Sequence, residues 1–166
     1  MDKILDTSGD FCLLFVCTGN TCRSPMAAAI ARRAAAARGW TGFKVLSAGV
    51  AATDGEPASA GAVRAAKANG LGLREHQATL LRPELAEWAD IILVMSPAHV
   101  MRVAELGAGD RAALLGAYAS EGDGTSLRGA VPDPIGGSDE EYLETFAFLE
   151  NLIERALARM EAAVIK

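Results

Sequence analysis

The chain has 166 residues and a mass of 17.3 kDa, about the size of one domain and enough for a core that needs no covalent staple. Apolar residues make up 51% and charged residues 22%, which excludes a disordered tail protein. Sixteen Lys and Arg against 21 Asp and Glu leave a net charge of −5, which argues against general binding to nucleic acid or to an anionic membrane but allows one local phosphate pocket.

The first ten residues carry three Asp and one Lys and no long apolar stretch, unlike a secretory leader. Residues 1–10 therefore read as an N-terminal extension and 11–166 as a single domain. No apolar run approaches the roughly 20 residues that span a bilayer, so a soluble chain is expected. Phe11–Cys17 is a continuous apolar run, as in a strand buried on both faces. Thr18-Gly19-Asn20-Thr21 is turn-forming, and Ser24-Pro25 opens an Ala-rich segment to about Arg38. Ser24 reads as the N-cap of that helix, Pro25 as its first residue and Gly39 as its stop.

Residues 43–48 read as a second strand and 59–69 as a second helix, stopped by Gly70. A short helix is expected over 83–88, a third buried strand over 90–95, a helix over 97–106 and a weaker fourth strand over 112–118. Residues 119–137 are rich in Gly, Ser, Asp and Pro and read as loop. Ser138-Asp-Glu-Glu141 is a capping box. Behind it Tyr142, Phe146, Leu149, Ile153, Ala156 and Met160 recur at helical spacing, the apolar stripe of a long amphipathic helix. Strands alternating with helices imply a parallel sheet covered on both faces. His99 reads as a solvated helix residue, and Arg32, Arg33 and Arg38 as a wet helix face.

The chemistry concentrates in Cys17-Thr-Gly-Asn-Thr-Cys-Arg23-Ser24-Pro25, a Cys-x5-Arg loop between strand and helix. Its backbone N–H groups can curl into an oxyanion cradle, helped by the positive end of the following helix. Gly19 relieves crowding, Asn20 tolerates a left-handed conformation, and Arg23 can grip two phosphate oxygens with its planar fork. A helix N-terminus and a guanidinium favour a thiolate, so Cys17 is the expected nucleophile towards phosphorus. The phosphate-binding set is Thr18, Gly19, Asn20, Thr21, Cys22, Arg23 and Ser24. A leaving group needs a proton, and Asp133, fixed between Pro132 and Pro134, is the expected general acid.

Cys17–Met26 (CTGNTCRSPM), Ser47-Ala-Gly49 and the Asp133-Pro134 loop before the last helix resemble the low-molecular-weight protein-tyrosine phosphatase family, in order and spacing from about Phe11 onward. The resemblance implies a three-layer αβα fold, flavodoxin-like, with a four-stranded parallel sheet in order 2-1-3-4. It implies catalysis through a phosphocysteine, with no metal and no cofactor, and maps nucleophile, phosphate-binding arginine and general acid to Cys17, Arg23 and Asp133. It also implies that Ser24 bonds the Cys17 sulfur and that Ser47 and His76 brace Asn20.

Within that family Thr21 resembles the bacterial protein-arginine phosphatases, where tyrosine-directed members usually carry Ile or Leu. A hydroxyl there can accept from a guanidinium, whereas an aliphatic wall packs better on a phenyl ring. Ile135 replaces the Tyr that often follows Asp-Pro in tyrosine-directed members, and also departs from the Phe common in the arginine type; Thr21 and Ile135 are the expected specificity residues. Ala28, where Glu is usual, is expected on the helix surface.

The reading is therefore a protein-arginine phosphatase, with a protein-tyrosine phosphatase as the alternative. Phosphorylated proteins would be its substrates, and the chain is expected to be cytoplasmic and monomeric, without nucleic-acid or membrane partners. The three cysteines lie within eleven residues, a poor disulfide framework that fits a reducing compartment. Cys12 reads as core. Cys22 reads either as a structural residue or as a reversible disulfide partner of Cys17, which the resemblance supports. Zinc lacks a fourth ligand. An arsenate reductase on this scaffold relays its disulfide to later cysteines, and none follows Cys22. A non-catalytic phosphate reader would need neither thiol nor acid.

Overall fold

Strand β1 (Phe11–Cys17) is flanked on both sides by parallel neighbours, as its unbroken apolar sequence requires. The computed structural model describes residues 9–120 and 130–164. Strand β2 (Phe43–Gly49) pairs with β1 in the register Phe11 to Phe43 through Cys17 to Gly49. On the other side β3 (Ile91–Val94) pairs Leu13 with Ile91, and β4 (Ala112–Leu114) pairs with β3. The order is β2-β1-β3-β4, as the resemblance implied.

Successive side chains of β1 point to opposite faces, and the two cores follow that alternation. Leu13 and Phe15 meet Met26 and Ile30 of α1 (Arg23–Ala37) and Phe146, Leu149 and Ile153 of α6 (Asp139–Val164). Leu14 and Val16 meet Leu85 of α3 (Pro83–Trp88) and Val103 of α4 (Pro97–Glu105). Helix α2 (Ala60–Ala68) joins the first layer. These helices above and below the sheet make three layers. The alanines of α1 let it lie close to the sheet and to α6. Ala28 is among them, buried in the core rather than on the surface.

Three further expectations are corrected. The segment 112–118 is strand only to Leu114 and then turns into α5 (Leu115–Ala119), which buries Leu115 and Ala119 one helical turn apart; a short apolar run does not distinguish strand from helix by period alone. The arginines of α1 are engaged rather than simply wet. Arg33 pairs with Glu150 at 3.0 Å, Arg38 with Glu154 at 2.8 Å, and Arg32 donates to the Val45 carbonyl at 2.7 Å. Helix α1 starts at Arg23, with Cys22 rather than Ser24 at its cap. By contrast, the Ser138 hydroxyl accepts from the Glu141 N–H at 3.2 Å as the capping box predicts. Most of the expected N-terminal extension (1–8) and the middle of the expected loop (121–129) lie outside the described residues.

Candidate active site

The loop after β1 lies at the carboxyl end of the central strand, against the end of β2. Gly49 makes that approach possible: a Cβ there would stand 2.5 Å from the Thr18 carbonyl oxygen and 2.8 Å from the Asn20 nitrogen, closer than atoms tolerate. Asn20 takes the left-handed conformation expected of it, at φ 56°. Its buried side chain locks the turn, donating from Nδ2 to Ser24 Oγ at 2.8 Å and to Ser47 Oγ at 3.0 Å, and accepting at Oδ1 from the Thr79 N–H at 2.8 Å. His76 Nε2 donates to the Asn20 carbonyl at 2.7 Å, and burial lowers the pKa of that ring.

Cys17 Sγ lies 2.8 Å from Ser24 Oγ. Because the Asn20 amide donates to the same hydroxyl, the serine oxygen can accept from the amide while its own proton goes to the sulfur. Among the described residues, no protein acceptor meets the backbone N–H groups from Gly19 to Ser24. Such unpaired donors beside a helix N-terminus form an anion site.

Arg23 is buried and held by its fork: Nη1 donates to the Val131 carbonyl at 3.0 Å, and Nη2 lies 3.4 Å from both Thr18 Oγ1 and Asp133 Oδ2. Asp133 is 41% exposed at its side chain, and its Oδ1 accepts from the Ile135 N–H at 3.1 Å. A cavity of about 210 Å³ is lined by Cys17, Thr18, Gly19, Thr21, Cys22, Arg23, Asp133 and Ile135. It can admit a tetrahedral anion and the first atoms of what the anion is attached to.

The sequence-derived residues thus converge, and they divide by position. Cys17, Arg23, Asp133, Thr21 and Ile135 face the cavity; Asn20, Ser24, Ser47 and His76 brace the loop behind it. Cys12 is buried in β1, its N–H held by Asp90 Oδ2 at 2.7 Å. Cys22 is not disulfide-bonded; its sulfur lies 3.2 Å from Ser59 Oγ and 3.5 Å from the Tyr142 hydroxyl.

Several participants carry no signal that sequence reading used. The Val131 carbonyl and the Thr79 N–H are backbone groups. Ser59 was legible only as a helix start and Tyr142 only as part of a core stripe. His99 is the clearest correction. It is buried rather than solvated, with Nε2 2.9 Å from Thr18 Oγ1.

Comparison with known proteins places the chain among relatives of two kinds. The sequence profile of the family described as Low molecular weight phosphotyrosine protein phosphatase matches residues 12–165. A protein-arginine-phosphatase of Geobacillus stearothermophilus is 36% identical over 151 residues, which cover 90% of this chain and 95% of that protein. A solved structure of the arginine phosphatase YwlE, a cysteine-to-serine mutant with a phosphorylated active-site serine, matches with a TM-score of 0.84 at 35% identity. The match covers 91% of this chain and 96% of that one. The tyrosine phosphatase Wzb from Escherichia coli K30, in complex with sulphate, matches with a TM-score of 0.78 at 30% identity, covering 90% of this chain and 97% of the other.

Proposed function

The chain belongs to the low molecular weight phosphotyrosine protein phosphatase family, and from that premise we propose that it hydrolyses phosphoarginine on proteins through a phosphocysteine at Cys17. The observation that carries the proposal is the set of unpaired N–H groups from Gly19 to Ser24, gathered with Arg23 around the Cys17 sulfur.

Chemistry follows from that arrangement. An entering phosphoryl group fills the cradle and takes Asp133's place on the Arg23 fork. Cys17 Sγ attacks phosphorus in line; the S–P bond forms as the P–N bond to the substrate guanidine breaks, and Asp133 gives its proton to the departing nitrogen. In the second step Asp133, now a carboxylate, takes a proton from water as the water oxygen bonds to phosphorus. The S–P bond breaks, inorganic phosphate leaves, and Ser24 stands ready to donate to the released sulfur anion. Arg23 and the loop amides stabilise the equatorial oxygens in both steps.

Arginine rather than tyrosine is supported by the cavity wall. Thr21 brings a hydroxyl to it, whereas Ile135, which departs from the aromatic residue of both types, does not decide between them. The G. stearothermophilus relative carries the arginine-phosphatase name over nearly its whole length. Tyrosine is the second reading, favoured by the likeness to Wzb.

The test measures kcat/KM on phosphoarginine and phosphotyrosine peptides for wild type and Thr21→Ile, with Cys17→Ser as the inactive control that still binds phosphate. Wild type should prefer phosphoarginine, and Thr21→Ile should shift the ratio towards phosphotyrosine by about tenfold or more. A wild-type preference for phosphotyrosine reverses the substrate assignment. An unchanged ratio in Thr21→Ile removes the hydroxyl argument, and turnover by Cys17→Ser ends the phosphocysteine mechanism.

A further inference from the structure

His99 has no part in the proposed mechanism, yet both of its ring nitrogens are engaged beside the cavity. The residue is 3% exposed, in the first turn of α4. The Ser96 backbone N–H, 3.1 Å away, donates to Nδ1. A backbone N–H has no lone pair to offer, so Nδ1 is bare and the ring proton of the neutral imidazole is on Nε2. Nε2 therefore donates to Thr18 Oγ1 at 2.9 Å. Burial, and then the positive charge of Arg23, lower the ring's pKa to about 4, with Asp133 opposing. At neutral pH the ring is therefore neutral, and the Ser96 N–H on Nδ1 keeps its one proton on Nε2.

Thr18 Oγ1 receives a second donor, Arg23 Nη2, at 3.4 Å. A hydroxyl has two acceptor positions and one proton. With His99 on one lone pair, the other is turned to the guanidinium and the proton points away from both. If His99 offered no donor, the hydroxyl would be free to rotate and to present its proton to Arg23 instead. The consequence arises when substrate arrives. Of the three groups holding the Arg23 fork, Asp133 leaves to serve the departing group, and only Thr18 and the Val131 carbonyl remain.

We infer that His99 is a positioning residue: through the Thr18 hydroxyl it fixes the Arg23 guanidinium on the transferring phosphoryl group. The inference rests on the phosphatase reading and adds to it a part on a distant helix. Misaligning a charge clamp weakens the transition state more than the ground state, so the effect belongs chiefly to kcat.

The experiment compares wild type, His99→Asn, His99→Gln, Thr18→Val, and the doubles Thr18→Val/His99→Asn and Thr18→Val/His99→Gln on para-nitrophenyl phosphate. Each protein's thermal melt reports its folding. Asn can still accept from Ser96 but is too short to reach Thr18, whereas Gln can place an N–H near the position of Nε2. Expected are a roughly tenfold fall in kcat for His99→Asn and for Thr18→Val, with KM changed less than threefold, and recovery of most of kcat in His99→Gln. The double with Asn should be no slower than Thr18→Val alone. If His99→Asn does not fold, His99→Met, which fills the space of the ring without an N–H, takes its place alone and in the double with Thr18→Val, with the same expected outcomes.

Wild-type kcat in folded His99→Asn, losses that multiply in the doubles, or a His99→Gln as slow as His99→Asn would each overturn the inference. A wild type inactive on both aryl phosphate and phosphopeptides would overturn the phosphatase reading instead, so the two failures are distinct.

Discussion

The loop from Thr18 to Ser24 is braced from every side, whereas the loop from Val131 to Gly137 meets the protein at few points. The first is clamped by Ser47, His76, Thr79 and His99, residues of three separate segments, and Asn20 and Ser24 within it are fully buried. Among the described residues, the second is tied at Val131, whose N–H reaches the Met95 carbonyl and whose carbonyl accepts from Arg23, by Asp133 to Arg23, and by its own turn, in which Gly137 N–H reaches the Pro134 carbonyl. Gly137 is required there because a Cβ would run into that carbonyl and into Glu141. The contrast matches the two jobs. Donors that stabilise developing charge gain most when fixed beforehand. In the proposed mechanism Asp133 must leave Arg23, protonate a leaving group and then activate water, so it has to move.

The largest effect that could break this division is on the acid. Asp133→Asn keeps one acceptor oxygen, which can still take the Ile135 N–H and hold the turn, but it gives up the contact with Arg23 and has no carboxyl proton to give. Turnover should fall by about 10²–10⁴. The deficit in phosphoenzyme formation should shrink across a series of aryl phosphates as the leaving group improves, because a good leaving group needs less protonation. Unchanged kcat would remove Asp133 from the mechanism.

Acid should act on the braced region first. His76 and His99 both have lowered pKa values in the fold, His99 falling from 6.5 to about 4. The unfolded chain therefore binds these protons more readily, and the stability from the neutral rings is full above about pH 6.5 and lost in acid, for His99 as pH falls towards 4. For His99 the loss is roughly 3 kcal/mol. Urea midpoints between pH 7 and 4 should fall more steeply in wild type than in His99→Gln. Parallel slopes would mean that the ring is not held neutral by its surroundings.

How much of this was legible in the sequence follows the same boundary between local and distant. The order of strands and helices was written in apolar runs, caps and the stripe of α6. The nucleophile loop was written in its own spacing, and the sheet order came with the family resemblance. Ser24 is a local error: it has the form of a helix cap, but its hydroxyl is drawn to Cys17 and Asn20 a few residues back. The other errors arose where a residue's partner is far along the chain. His99 looked solvated because nothing nearby in sequence announces Thr18, 81 positions away. Ala28 and the arginines of α1 were misjudged for the same reason, since α6 and β2 decide what faces them.

The smallest effect sharpens the comparison most. Ile135 is 63% exposed and borders the cavity in the Asp133 loop, so it supports little behind it. Ile135→Ala should change the unfolding free energy measured in urea by no more than about 0.5 kcal/mol, as at other exposed positions, and should leave kcat on para-nitrophenyl phosphate within twofold. A peptide substrate covers more of the loop. Covering part of an isoleucine side chain contributes about 1 kcal/mol, so KM for a phosphopeptide should rise about fivefold while kcat holds. That split would assign Ile135 to recognition and the braced loop to chemistry. A loss of kcat on the small substrate would instead mean that Ile135 helps place Asp133, and the two loops would then share the work of alignment that the bracing network assigns to one.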